Sequence, residues 1–124
     1  MKAILSHAAP QPIGPYSQAI SSDPFVFCSG QVGIDPATGK LVEGDAAAQA
    51  EQVLKNLAEV LHEAGLEFRH VVKTTVYLTK MSDFAAVNGV YAKHFGESKP
   101  ARATVAVADL PLGARVEIEA IART

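Results

Sequence analysis

The sequence predicts an α+β domain: a small mixed β-sheet with two helices on one face. Three observations carry that prediction. One strongly amphipathic segment follows Asp45, a second apolar stripe runs from Phe84 to Phe95, and alternating β-prone runs flank both. The order along the chain is strands, helix, strand, helix, strands. At 124 residues it makes one domain, 1–124, large enough to bury a core without disulfide or metal staples.

Residues 2–6 and 17–22 read as short strands, separated by the Pro- and Gly-rich stretch 7–15. Phe25-Val26-Phe27-Cys28-Ser29 is a stronger strand, expected to stop at Gly30. Asp35-Pro36-Ala37-Thr38-Gly39-Lys40 carries dense turn chemistry and reads as an exposed loop or hairpin. Asp45 is placed to cap a helix. Behind it Ala47, Ala50, Leu54, Leu57, Leu61 and Ala64 recur at three and four residues, with Val53 and Val60 alongside, and Gly65 stands where a left-handed cap belongs. Residues 70–79, rich in Val, Thr and Tyr, alternate as a strand does. Ser82 reads as a second N-cap, ahead of Phe84, Val87, Tyr91 and Phe95 at helical spacing up to Gly96. Two strands close the chain, joined through Leu110-Pro111-Leu112-Gly113.

Composition narrows the class. Hydrophobic residues make up 48% and charged residues 19%, as in globular rather than disordered chains. The net charge of −2 and the scattered basic residues argue against a nucleic-acid or anionic-membrane surface. A single cysteine excludes an internal disulfide, and no Cys/His spacing resembles a zinc site. No run approaches the roughly 18 apolar residues that span a bilayer, and the first residues lack the layout of a signal peptide. A cytoplasmic protein is the expectation. Phosphate loops, dinucleotide fingerprints and metal signatures are lacking, so chemistry falls to side chains, backbone and water.

The last two strands hold the clearest chemical pair. Ala101, Ala103, Val105 and Val107 share one face of the first, leaving Arg102, Thr104 and Ala106 on the other. Val116, Ile118, Ala120 and Ala122 share a face of the second, opposite Glu117, Glu119 and Ile121. With both apolar rows on one core, Arg102 and Glu117 are expected to emerge together on the far side. Such a pair is either a cross-strand ion pair of little energetic weight or a working site. In the second case the guanidinium grips a carboxylate through two hydrogen bonds and the acid moves a proton. The small neighbours Ala101, Ala103 and Thr104 leave room around Arg102. Two helices cover only one sheet face. The other face, expected to carry Thr104, Ala106, Glu117 and Ile121, is then covered by further copies of the chain, with sites near the seams.

Other positions are more open. Gly14-Pro15 gives a rigid entry to Tyr16, whose ring either packs structurally or lines a site. Cys28 reads as core filler rather than nucleophile. Ser29 lacks a nucleophile elbow, and Gly30 either ends a strand or admits a ligand close to the backbone. Asn88 lies beside the second apolar stripe, where its amide needs a partner, in a loop or in a ligand. His7, His62, His70 and His94 are isolated and form no metal pair.

Taken together, Ile13-Gly14-Pro15-Tyr16, Ser29-Gly30-Gln31, Val72-Lys73-Thr74-Thr75-Val76, Phe84-Ala85-Ala86-Val87-Asn88, Pro100-Ala101-Arg102-Ala103 and Val116-Glu117-Ile118-Glu119-Ala120-Ile121-Ala122 resemble the RidA/YjgF family of enamine/imine deaminases. The resemblance implies a chorismate-mutase-like (RidA) α+β fold and a homotrimer with a central β-barrel and clefts between subunits. It implies hydrolysis of 2-aminoacrylate, 2-iminopropanoate and 2-iminobutanoate to 2-oxo acids and ammonia, without metal or cofactor, in metabolite damage control. Carried over by motif, Arg102 would bind the substrate carboxylate and Glu117 would handle water and the departing amine. Tyr16, Ser29, Gly30 and Asn88 would line the cleft, with backbone at Thr104 orienting substrate or water. Thr104 departs from the Cys found there in many members, which rules out a thiol role but spares a main-chain contact. A non-catalytic small-carboxylate-binding module of the same fold is the main alternative. A chorismate mutase is disfavoured, since one arginine is thin provision for a dicarboxylate.

Overall fold

Alternation of buried and open side chains builds most of this molecule, whose computed structural model describes all residues, 1–124. Six strands form a mixed sheet: β1 (Lys2–Ile4), β2 (Ala19–Ser22), β3 (Phe25–Gln31), β6 (Val71–Leu78), β7 (Ala101–Ala106) and β8 (Val116–Arg123). They lie in the order β1-β2-β3-β8-β6-β7. Only β6 and β7 run parallel; every other pairing is antiparallel. The parallel pair is joined through helix α2 (Phe84–Phe95), as a crossover of that kind requires. Strands β4 (Ile34–Asp35) and β5 (Lys40–Leu41) form a separate hairpin around the Asp-Pro and Gly turn chemistry.

Helix α1 (Ala46–Glu63) starts where Asp45 Oδ1 accepts the Ala48 amide at 3.0 Å. Ala50, Val53, Leu54, Leu57, Val60 and Leu61 are sealed against the sheet. In the first turn Ala46 is the buried residue, and Ala47 turns partly outward. Gly65 takes φ +76°, and Leu66 N donates back to Leu61 O at 2.8 Å, closing the helix as a left-handed cap does. Helix α2 buries Val87, Tyr91 and Phe95 beside α1. Both helices therefore cover one face of the sheet. None is long and apolar enough to cross a membrane.

Three local expectations are corrected. Strand β3 runs through Gly30 to Gln31, its register against β8 shifting between Cys28 and Gln31, so the glycine sits in a bulge and not at a terminus. Strand β6 begins at Val71, because Phe68–His70 forms a 3₁₀ turn in which Glu67 N donates to His70 Nδ1. Ser82 does not cap α2. It lies inside a second 3₁₀ turn (Met81–Asp83) that leads into the helix, and Asp83 at the cap position binds Arg115 instead, at 2.9 to 3.3 Å.

The larger correction concerns β7. Its parallel register sets Arg102 beside Thr74 and Thr104 beside Val76. Thr74 and Val76 are core residues, so Arg102, Thr104 and Ala106 lie on the helix side of the sheet. Ala101, Ala103 and Val105 take the open side. In β8 the apolar row Val116, Ile118, Ala120, Ala122 is buried as expected, and Glu117, Glu119 and Ile121 face the open side. Arg102 and Glu117 of one chain thus occupy opposite faces of the same sheet.

Candidate active site

Glu117 stands opposite Tyr77 on β6 and beside the β3 bulge. The bulge brings Gly30 so close that a Cβ there would lie 2.2 Å from Glu117 Oε2. Only a glycine lets the carboxyl lie over that backbone. Burial, and then the charge of Glu119, raise the Glu117 pKa above the ordinary carboxylate range. Glu119 is held from across the sheet by Tyr77, whose hydroxyl donates to Glu119 Oε1 at 2.5 Å. That bond, more than burial, raises the tyrosine pKa and keeps its proton in place.

A cleft of about 520 Å³ opens over Glu117, lined also by Ile13, Tyr16, Ser29, Gly30 and Leu112. Its walls are tied from behind. Gln18, buried, donates to Ser6 O and Pro10 O at 3.1 and 2.9 Å and accepts Ser6 N at 2.6 Å, anchoring the Pro-rich segment. Asn56 on α1 donates to Val32 O and Ile34 O, at 3.3 and 2.8 Å, holding the wall beyond β3. Ser29 Oγ donates to Ser17 O at 2.6 Å, so this hydroxyl already has an acceptor. Tyr16 is 53% exposed, and its hydroxyl accepts Ile13 N at 3.4 Å.

Arg102 has a different setting. Its guanidinium carbon sits 4.8 Å from the Tyr91 ring centre and 5.5 Å from that of Phe84, and Nη1 donates to Asn88 Oδ1 at 2.7 Å. Phe84, Asn88 and Tyr91 fall four and three residues apart on α2, so one helix face cradles the cation. One acceptor leaves most of the five guanidinium donors free. A second cleft of about 400 Å³ lies here, bordered by Tyr91, Phe95, Lys99, Pro100 and Arg102. Two strand residues on, Thr104 Oγ1 is buried without a hydrogen-bond partner. Cys28 is unsuited to nucleophilic work, its thiol pushed up to about 12 by burial.

The residues singled out in the sequence therefore fall into two half-sites. Tyr16, Ser29, Gly30 and Glu117 meet on one face, and Asn88, Arg102 and Thr104 gather on the other. Leu112, Ile13 and the Phe84–Tyr91 cradle were missed. The cradle was foreshadowed by the spacing that set Asn88 beside Phe84 and Tyr91, whereas a left-handed turn at Leu112 leaves no signal in a Pro-Leu-Gly run.

A small mixed sheet with two helices on one face, an arginine on that side and a glutamate on the open side, defines the α+β class of this protein. A family model described as Endoribonuclease L-PSP matches residues 6–124, and the chain belongs to this family, RidA/YjgF. The mouse 2-iminobutanoate/2-iminopropanoate deaminase is 54% identical over 98% of this chain and 90% of its own length. Protein DfrA of Myxococcus xanthus is also 54% identical, over 98% of this chain and 94% of its own. The crystal structure of Escherichia coli TdcF with bound serine superimposes with a TM-score of 0.95 at 39% identity, covering 100% of this chain and 99% of that one.

Proposed function

We propose that this protein hydrolyses small 2-imino acids and their enamine tautomers to 2-oxo acids and ammonium, without metal or cofactor. The observation that carries the reading is the raised-pKa Glu117 carboxyl over Gly30, matched by an arginine with free donors on the opposite sheet face. The deaminase name of the mouse relative supports it. The two halves become one site when Arg102 of one copy faces Glu117 of the next, in a homotrimer whose open sheet faces line a central barrel. Phe27 and Val105, 45% and 43% exposed on that face, gain cover in such an assembly.

In this site Arg102 binds the substrate carboxylate with two parallel hydrogen bonds, while Asn88 and the aromatic rings fix its plane. Tyr16, Ser29, Gly30 and the Thr104 backbone border the substrate. The protonated imine carbon is already electrophilic, so a positioned water suffices as nucleophile. Glu117 takes a proton as the water oxygen bonds to C2, giving a carbinolamine. It returns that proton to nitrogen as the C–N bond breaks, and the C2 hydroxyl proton leaves with the products. The sum is iminium acid plus water to 2-oxo acid plus ammonium. An enamine first needs a proton at C3, which a carboxyl of raised pKa supplies. Such acid–base help is worth roughly 10²–10⁴-fold.

A small-carboxylate-binding module without turnover is the second reading, favoured by the bound serine of TdcF. The family's endoribonuclease description finds less support in a chain of net charge −2 with scattered basic residues. The test supplies 2-iminobutanoate from threonine by a threonine dehydratase and follows 2-oxobutanoate. Faster release with the protein, lost by at least about 100-fold in a folded Arg102→Ala variant, is the expected result. No acceleration by the wild-type protein rejects the deaminase in favour of the binding module.

A further inference from the structure

Leu112 is the one non-glycine residue with a positive φ, +60° with ψ +19°, in the 3₁₀ turn that enters β8. Leucine fits this region poorly and glycine fits it well, and the next residue, Gly113, also takes it at φ +71°. Leu112 is 66% exposed and lines the cleft over Glu117. Ile13, 87% exposed, borders the same cleft. Two large apolar side chains, uncovered by anything else in the same chain, thus stand on the walls of a cleft that also holds a carboxyl and the Ser29–Gly30 backbone. Strained backbone that displays an unshielded side chain at a site points to a task for that side chain.

We propose that Leu112, with Ile13, forms an apolar rim that selects imino acids carrying an extended or branched aliphatic side chain over the methyl-bearing one. The inference rests on the deaminase reading and names its substrate class. With the reacting carbon near Glu117, the chain beyond it meets the rim. Each methylene removed from water there raises kcat/KM by a factor of about 4, so partial cover of an isobutyl group gives about 10-fold over methyl.

The experiment compares imines generated in situ from leucine and alanine by an amino-acid oxidase, with wild type, Leu112→Gly and Leu112→Met. Glycine suits the backbone angle, so loss of folding is not expected. The leucine-to-alanine ratio of kcat/KM falls from about 10 to near 1 in Leu112→Gly and is restored by Leu112→Met. A ratio unchanged in Leu112→Gly overturns the proposal. So does a change of oligomeric state in that variant, which would assign Leu112 to packing against another copy. Calorimetric titration with 4-methyl-2-oxopentanoate and pyruvate reads the same preference without catalysis. Tighter binding of the branched acid, lost in Leu112→Gly, upholds the rim even where no imine is hydrolysed. Equal binding of the two acids by wild type removes it.

Discussion

Glu117 is asked to be both half-buried and ionisable, and its surroundings set the sign of every pH effect. Burial first, and the Glu119 charge second, raise its pKa in the fold. The folded protein therefore holds this proton more tightly than the unfolded chain does. The associated stability is complete below the unfolded pKa and is lost as pH rises through the folded one. Glu117→Gln is thus expected to melt higher than wild type at neutral pH, with the gap closing in acid, while turnover drops by roughly 10²–10⁴-fold. Melting curves across pH check the first half and steady-state rates the second. An equal stability gap at all pH values would contradict the assignment. The neighbouring groups are Glu119 on the same strand, Tyr77 on β6, Lys73 further along the open face, and Tyr16 from the loop. Glu119→Gln removes the one like charge acting on Glu117, so the Glu117 titration seen by ¹³C NMR is expected to move to lower pH. A midpoint that stays in place would leave burial as the sole cause.

At the scale of elements, what could be read from sequence depended on contrast between the two faces of each segment. Helix α1 was legible because its stripe is Leu and Val against Gln, Glu and Lys, and β8 because Val116, Ile118 and Ala122 oppose two glutamates. Strand β7 offered no such contrast. An Ala-Ala-Val row faces an Arg-Thr-Ala row, and on an edge strand beyond the main helix cover either one can point inward. The choice was made by parallel pairing with β6, a non-local fact that single-strand alternation does not encode. The same holds for the acid–guanidinium pair: both residues stood out by chemistry, but the face each takes came from pairing. Helix α2 shows the reverse tension. Asn88 is a weak helix former kept in mid-helix, where it accepts a hydrogen bond from Arg102. Asn88→Ala is expected to raise Tm by about 2 °C. It should also weaken binding of a 2-oxo acid by about 10-fold, the loss of one charge-assisted contact that orients the guanidinium. Calorimetry for both quantities tests this. A variant that binds as tightly as wild type would separate Asn88 from the site.

The whole molecule turns on the two half-sites facing away from each other across one sheet. No side-chain motion carries Arg102 around the edge of β7 to Glu117, so one chain by itself does not present both groups to a small acid. Assembly solves this if the edge carrying Arg102 on one copy abuts the open face carrying Glu117 on the next. A closed ring then repeats one cleft per interface. That geometry makes a sharp claim about mixtures. Arg102→Ala keeps an intact acid half, and Glu117→Gln keeps an intact arginine half. In any trimer holding both variants, two of the three clefts form between unlike copies, and one of these two pairs the intact arginine with the intact glutamate. Random reassembly at equal amounts makes about three-quarters of the trimers mixed, so activity is expected to return to about one-quarter of wild type. Each variant alone, taken through the same denaturation and refolding, stays near zero. Recovery of this size requires the site to be shared between copies. Mixed trimers that form, as mass spectrometry would show, yet remain inactive would place the arginine and the acid in one and the same subunit's cleft, against the opposite-face arrangement seen here.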